Sequence, residues 1–308
     1  MDSCTILGKY YDIYRLISDN PRITIAQIAK AIGKTGRGRT RSTISRHLSN
    51  MYEKKVSLKP NLILRPSLNS MIYAYFCRKR TRKGIRSTFF KLHEDERINY
   101  VLFLSGQSDY FLTTRENNIT FEEFDLDIVE HSLMYTPTFT IPYGWNNSMR
   151  EALKSLSEFN FKKGLLSREL TIKKKWSDMD WDIYTLMRED ARMEFTKVGK
   201  KLGIFSSTVK DHFYKYVLPE CIVSHYFFPR GYDFYLKSFL YMHSCYETSF
   251  IEALRKLPCT SYVYPLRDGF VTSIFHDNTN DLMTVFEKLE ETGIIESYLL
   301  YTPLNWFL

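Results

Sequence analysis

The chain has 308 residues, 44% of them hydrophobic and 16% aromatic, with a net charge of +8 and an isoelectric point near 9.0. That length and composition suit two or more globular domains with sizeable cores. No apolar run approaches the ~20 residues of a membrane helix, the start has no secretory pattern, and the five dispersed cysteines have neither metal-ligand spacing nor a disulfide framework.

A soluble, cytoplasmic protein is therefore expected, with no cofactor or metal. The charge is uneven. Residues 1–150 hold 23 Lys and Arg against 14 Asp and Glu, a net of +9, whereas residues 151–308 have a net of −1. From Lys30 to Lys91 there are 17 basic residues and Glu53 as the sole acid. A single-signed stretch of that length points to a polyanionic partner more than to solubility.

In chain order, a first helix is expected from about Lys9 to Ser18, ending at Asn20-Pro21, because proline cannot continue it. Thr24 and Gln27 have capping-box spacing. A second helix then places Ile25, Ile28, Ala29 and Ile32 on one face, with Gly33 at its end. The basic run Lys34–Arg41 follows. Ser42 can cap a third helix that buries Ile44, Leu48 and Met51 and exposes Thr43, Ser45, Arg46 and Asn50. Leu62–Pro66 is extended. Strands are expected at 71–77, 99–104, 110–114 and 133–140, with helices near 84–93 and 121–130, and a charged helical connector over 146–175.

The pattern then recurs. YDIYRLI at Tyr11 and WDIYTLM at Trp181 lie 170 positions apart, as do IAQIAKAIG at Ile25 and FTKVGKKLG at Phe195. STISRHL at Ser42 matches STVKDHF at Ser207 at 165, and LMYTP at Leu133 matches LLYTP at Leu299 at 166. The first copy thus has five extra residues in its turn. In the second copy, strands at 234–243, 259–266, 270–275 and 294–302 alternate with helices at 247–257 and 281–291. Arg267-Asp268-Gly269 is a hairpin turn.

The fold class read from this order is α+β: two copies of a trihelical, winged helix-turn-helix followed by a βαββαβ ferredoxin-like sandwich. The segments are helix-turn-helix 1–66, sandwich 67–145, connector 146–176, helix-turn-helix 177–229 and sandwich 230–308.

This arrangement resembles the Lrp/AsnC transcription regulators of archaea and bacteria, here in a tandem form. WDIYTLMREDAR at Trp181–Arg192 and GIFSSTVKDHF at Gly203–Phe213 are similar to the family's opening helix and its recognition helix. FLSGQSDYFL at Phe103–Leu112 resembles its Gly-x-x-Asp hairpin, and ESYLLYTP at Glu296–Pro303 its last strand. The resemblance implies a double-stranded DNA partner and no enzymatic activity, with one chain mimicking the usual dimer, as a monomer or in a higher homo-oligomer.

The DNA contacts it implies are Lys34, Arg37, Arg39, Arg41, Ser42, Thr43, Ser45, Arg46 and Asn50 in the first copy. In the second they are Ser206, Ser207, Thr208, Lys210 and Lys215. Short polar and cationic side chains on one helix face suit phosphate and base-edge contacts. Gly106 and Asp109 mark a possible effector loop of the amino-acid class. The second hairpin lacks that pattern, and Asp211 stands where the first copy has Arg46. The basic cluster Arg78–Arg86 could add phosphate contacts or face the acidic segment Phe121–Glu130. His47 and His212 read as packed histidines. Some relatives with this architecture act instead as tetrapyrrole (sirohaem) decarboxylases, whose acidic substrate would also suit an Arg-rich pocket. A third reading is an interaction scaffold.

Overall fold

The computed structural model describes residues 3–32, 41–117, 119–170, 172 and 175–306. The first trihelical unit comprises α1 (Ser3–Asp19), α2 (Ile25–Ala31) and α3 (Arg41–Glu53). Thr24 and Gln27 form the capping box at the start of α2. Ile13, Tyr14, Ile17, Ile28, Ile44 and Met51 close its core. Gly33, expected to end the second helix, lies outside the described residues.

A short strand β1 (Asn61–Leu64) leads to β2 (Ile72–Lys79), α4 (Ile85–Glu94), β3 (Ile98–Ser105), β4 (Tyr110–Thr114), β5 (Leu126–Met134) and β6 (Thr138–Phe139). The helix expected over 121–130 is instead one 3-10 turn, Glu122–Phe124, and the strand β5. β5 pairs along the whole of β2, from Ile72↔Met134 to Lys79↔Leu126. A register shift at Phe76/Cys77 breaks its alternation, so period two is hard to read in its sequence.

Helix α5 (Met149–Ser157) begins the connector under a Ser148–Glu151 capping box. The helical expectation fails beyond it. The following segment is a strap on the second copy: Gly164 N–H donates to Cys245 O, Thr248 N–H donates to Gly164 O, and Arg168 grips Glu247. A Cβ at Gly164 would lie 2.5 Å from Thr248 Oγ1, so a larger residue there would have to displace that hydroxyl.

The second trihelical unit is α6 (Asp178–Met187), α7 (Phe195–Leu202) and α8 (Ser206–His212). A Cβ on Gly199 would meet Ile204 O at 2.6 Å. Glycine thus permits the tighter turn of this copy, and Ala29 occupies the matching position in the first, where the turn is longer. Then follow β7 (Cys221–Ser224), β8 (Leu236–His243), α9 (Glu247–Leu254), β9 (Tyr262–Leu266), β10 (Gly269–His276), α10 (Thr279–Glu291) and β11 (Ser297–Trp306).

The two expected sandwiches are not separate. Their strands run β10-β8-β11-β3-β4-β2-β5-β9, and β9 pairs back to β10, which closes an eight-stranded sheet with β6 added on β9. Closure removes the exposed edges that each half would have alone. The seams between copies are β11–β3 on one side and β9 with β5 and β6 on the other. Ala74, Phe76, Leu102, Phe111, Phe239, Tyr241, Val271 and Tyr301 fill the interior. α5, α9 and α10 cover the second half, and α4 covers the first.

The trihelical units are joined as closely. β1 pairs antiparallel with β7. Arg22 donates to Ala191 O at 3.0 Å and Met193 O at 2.7 Å, with its guanidinium 3.9 Å from the centre of the Phe195 ring. Arg192, 170 positions later, donates to Pro21 O at 2.6 Å and Ile23 O at 3.0 Å. Each copy thus caps the helix-one turn of the other.

Hydrogen bonds to charged donors contribute about 1.5–3 kcal/mol. Arg22→Ala and Arg192→Ala are each expected to lower unfolding free energy by about 2 kcal/mol in urea titrations. A change within experimental error for both would refute the clamp.

Candidate functional site

A concave surface lies where the second trihelical unit meets the base of the first half-sheet. It encloses about 540 Å³ and is lined by Leu68, Asn69, Ser70, Met71, Tyr73, Arg115, Asn117, Lys175, Trp176 and Trp181. One rim is the turn before β2, tied by reciprocal Ser67–Ser70 backbone hydrogen bonds. The opposite wall is the start of α6. Ser177 and Asp180 form a capping box there, which fixes where Trp176 and Trp181 project. Trp176 donates from Nε1 to Tyr216 O at 3.2 Å and packs edge-on against Trp181, with ring centres 4.8 Å apart. Arg115, just past β4, stands 5.4 Å over the Trp181 ring. Two indoles, a phenol and two cations, with no carboxylate among the described lining residues, suit a flat, anionic ligand.

The DNA-reading candidates lie elsewhere. Lys34, Arg37 and Arg39 fall outside the described residues. On α3, Arg41, Ser42, Ser45 and Arg46 are exposed, and Thr43 and Asn50 are half-buried. On the second unit Ser206, Ser207, Lys210 and Lys215 are exposed and Thr208 is half-buried. α8 spans only seven residues before a wider turn over Phe213–Val217, and Phe205, at its start, is 82% exposed. His47 packs edge-on against Tyr10, and His212 Nδ1 lies 2.8 Å from the buried carboxylate of Asp180.

The second basic cluster is partly neutralised. Lys79 pairs with Asp125 at 3.2 Å and Arg80 with Asp127 at 2.7 Å, so part of it faces the acidic segment.

Gly106 and Asp109 lie on the β3–β4 hairpin at one end of the closed sheet. A Cβ on Gly106 would come within 2.7 Å of the Tyr301 ring. Asp109 Oδ2 accepts from Lys79 N–H at 2.8 Å. Near this end a polar chain crosses the interior: the Tyr241 hydroxyl donates to Glu130 and lies 3.1 Å from His243 Nε2, while His243 Nδ1 lies 3.1 Å from Ser297 Oγ. Burial first, then Glu130, raises the Tyr241 pKa, so the phenol keeps its proton.

Sequence reasoning singled out Trp181 only as part of a repeat, and missed Arg115, Lys175 and Trp176 as partners. They come from separate segments that only the closed fold brings together. The one available signal was the pair of tryptophans at the start of the second repeat.

No protein-family model matches the chain, and no curated protein matches it. Two solved structures match at full length. A siroheme decarboxylase NirDL in complex with an iron-uroporphyrin III analogue aligns over 97% of this chain and 92% of its own, with a TM-score of 0.54 and 8% identity. A second NirDL structure aligns over 97% and 91%, with a TM-score of 0.52 and 10% identity. At such identity the likeness is one of fold. It corrects the expectation of a chain without enzymatic activity, because that expectation read the architecture as a regulator's and the matching structures are of an enzyme. No described helix is long and apolar enough to cross a membrane.

One buried histidine couples this assembly to pH. His225 lies between Ser18 Oγ at 2.9 Å and Ser57 Oγ at 2.8 Å, against Tyr14. Burial, then the charge of Arg192, pushes its pKa down to about 3. The unfolded chain takes up the proton near pH 6.5. The contribution of neutral His225 is therefore complete above about pH 6.5 and lost as pH falls toward 3, at up to about 1.4 kcal/mol per pH unit. Urea titrations between pH 4 and 6.5 should show a flatter pH slope for His225→Asn than for the parent. Equal slopes would contradict this.

Proposed function

We propose that the chain is an Lrp-like enzyme of the tetrapyrrole decarboxylase type, and that the Trp176–Trp181 groove binds the substrate. The observation that carries this reading is the groove's lining: paired indoles beside Arg115 and Lys175, with no acid among the described residues. A porphyrin-like macrocycle offers a broad π-face and peripheral carboxylates. Indole and phenol rings match the face, and the guanidinium and ammonium match the carboxylates through charge-assisted hydrogen bonds. The full-length fold likeness to NirDL supports the same direction.

The reaction is redox-neutral. The bond between an acetate methylene and its carboxyl carbon breaks, and CO2 leaves. The electron pair stays on the methylene carbon, conjugated with the pyrrole, until a proton converts it to methyl. On the groove wall the Tyr73 hydroxyl and the Lys175 amine are the groups assigned to deliver that proton. Arg115 holds a neighbouring carboxylate and so fixes which side chain faces them.

Titrating the protein with iron uroporphyrin should shift the tetrapyrrole absorbance and quench tryptophan fluorescence. Arg115→Ala should weaken binding about tenfold, as loss of a charged hydrogen bond requires. Absence of any spectral change, or an unaltered affinity in Arg115→Ala, would sink the assignment.

A second reading keeps sequence-specific DNA binding and regulation on the trihelical units. Its support is the exposed set Arg41, Ser42, Ser45 and Arg46 on α3. Duplex-DNA anisotropy over a salt series should then show an affinity that falls steeply with salt and a slope reduced by Arg46→Ala. A slope unchanged by that substitution would remove α3 from the interface.

A further inference from the structure

A second groove has nearly the same composition as the first. It encloses about 520 Å³ and is lined by Ile6, Leu7, Tyr10, Lys54, Val56, Trp145, Asn146, Asn147, Pro229 and Arg230. Among the described residues, each groove has one arginine, one lysine, two asparagines, at least one tryptophan, one tyrosine and no acid. Both also begin at helix one of a trihelical unit. Ile6 and Trp176 are 170 positions apart, the offset of the repeat.

The second groove is built from well-fixed parts. Trp145 stacks on Tyr11 with ring centres 5.0 Å apart. The segment carrying Pro229 and Arg230 is bound to the one carrying Lys54 and Val56. Phe228 N–H donates to Val56 O at 2.7 Å, and Tyr232 N–H to Lys55 O at 2.9 Å. Lys55 pairs with Asp233 at 2.8 Å. Gly231 has φ +85, and a Cβ there would lie 2.9 Å from Lys54 O. That close approach keeps the two cationic segments together. The Arg230 guanidinium sits 3.6 Å over the Phe234 ring, which limits its freedom before any ligand arrives. Pre-positioned cations lose less entropy on binding.

We infer that this groove is a second site for a planar, aromatic polycarboxylate, so that each chain binds two such ligands, one per repeat. The inference rests on the proposed reading of the first groove for its ligand class, and on its own residues for its location. Trp145 offers the aromatic edge, Lys54 and Arg230 the carboxylate contacts, and Asn146 and Asn147 neutral hydrogen bonds.

The test is binding stoichiometry on the full chain. Equilibrium dialysis with iron uroporphyrin should give two equivalents for the parent. It should give one for Lys54→Glu/Arg230→Glu and one for Arg115→Glu. Circular dichroism checks that each variant is folded. One equivalent in the parent, lost in Arg115→Glu and kept in the double variant, overturns the second site and leaves the first intact. One equivalent lost only in the double variant supports this site and overturns the first. No uptake by the parent overturns both.

Discussion

Everything else in this molecule depends on the closure of one sheet from two half-sheets. Each repeat contributes four strands that leave edges unpaired. The β11–β3 seam and the β9 contacts with β5 and β6 consume those edges. Because the interior then holds the aromatic rings of both copies, neither half can move without opening the shared core. The trihelical units inherit this constraint. They hang from the same end of the sheet, their strands β1 and β7 pair, and each copy's arginine reaches the other's turn. A tandem chain thereby obtains from covalent linkage what two separate chains would have to obtain by association.

The geometry of the grooves follows from that fixed arrangement. Trp176 and Trp181 belong to the second repeat, and Arg115 and Tyr73 to the first. The first groove exists only because the second trihelical unit is held against the first half-sheet. The other groove gathers α1, the end of the first unit, the start of the connector and the segment after β7. In both, aromatic faces and cations come from elements that the closed sheet and the arginine clamp hold in register.

Much of this was legible in the residues. The repeat offset of 170 positions identified both trihelical units, and the capping box at Thr24 and the turn at Asp268-Gly269 gave real boundaries. What escaped was whatever depends on contacts between copies. Local patterns cannot show that two sandwiches will fuse their edges. The strand β5 was hidden because a register shift disrupts its alternation and the stretch Asp127–Val129 is exposed throughout, Ile128 and Val129 included, so no inward–outward period shows. The connector was read as helical from its charge, yet past α5 it is fixed by side chains and backbone of α9 rather than by its own periodicity. The charge concentration was real, but part of it is internal: Lys79 and Arg80 answer Asp125 and Asp127. The residues of the first groove are single letters scattered from Leu68 to Trp181, and no spacing rule connects them.

The central claim is that this fold processes a polycarboxylated tetrapyrrole. The most direct measurement is mass spectrometry of a uroporphyrin-type substrate after incubation with the full chain. The account predicts products lighter by whole units of CO2, with methyl groups replacing acetates, formed at a rate that falls in Arg115→Ala. Recovery of the substrate unchanged, under conditions where spectroscopy shows it bound, would contradict it.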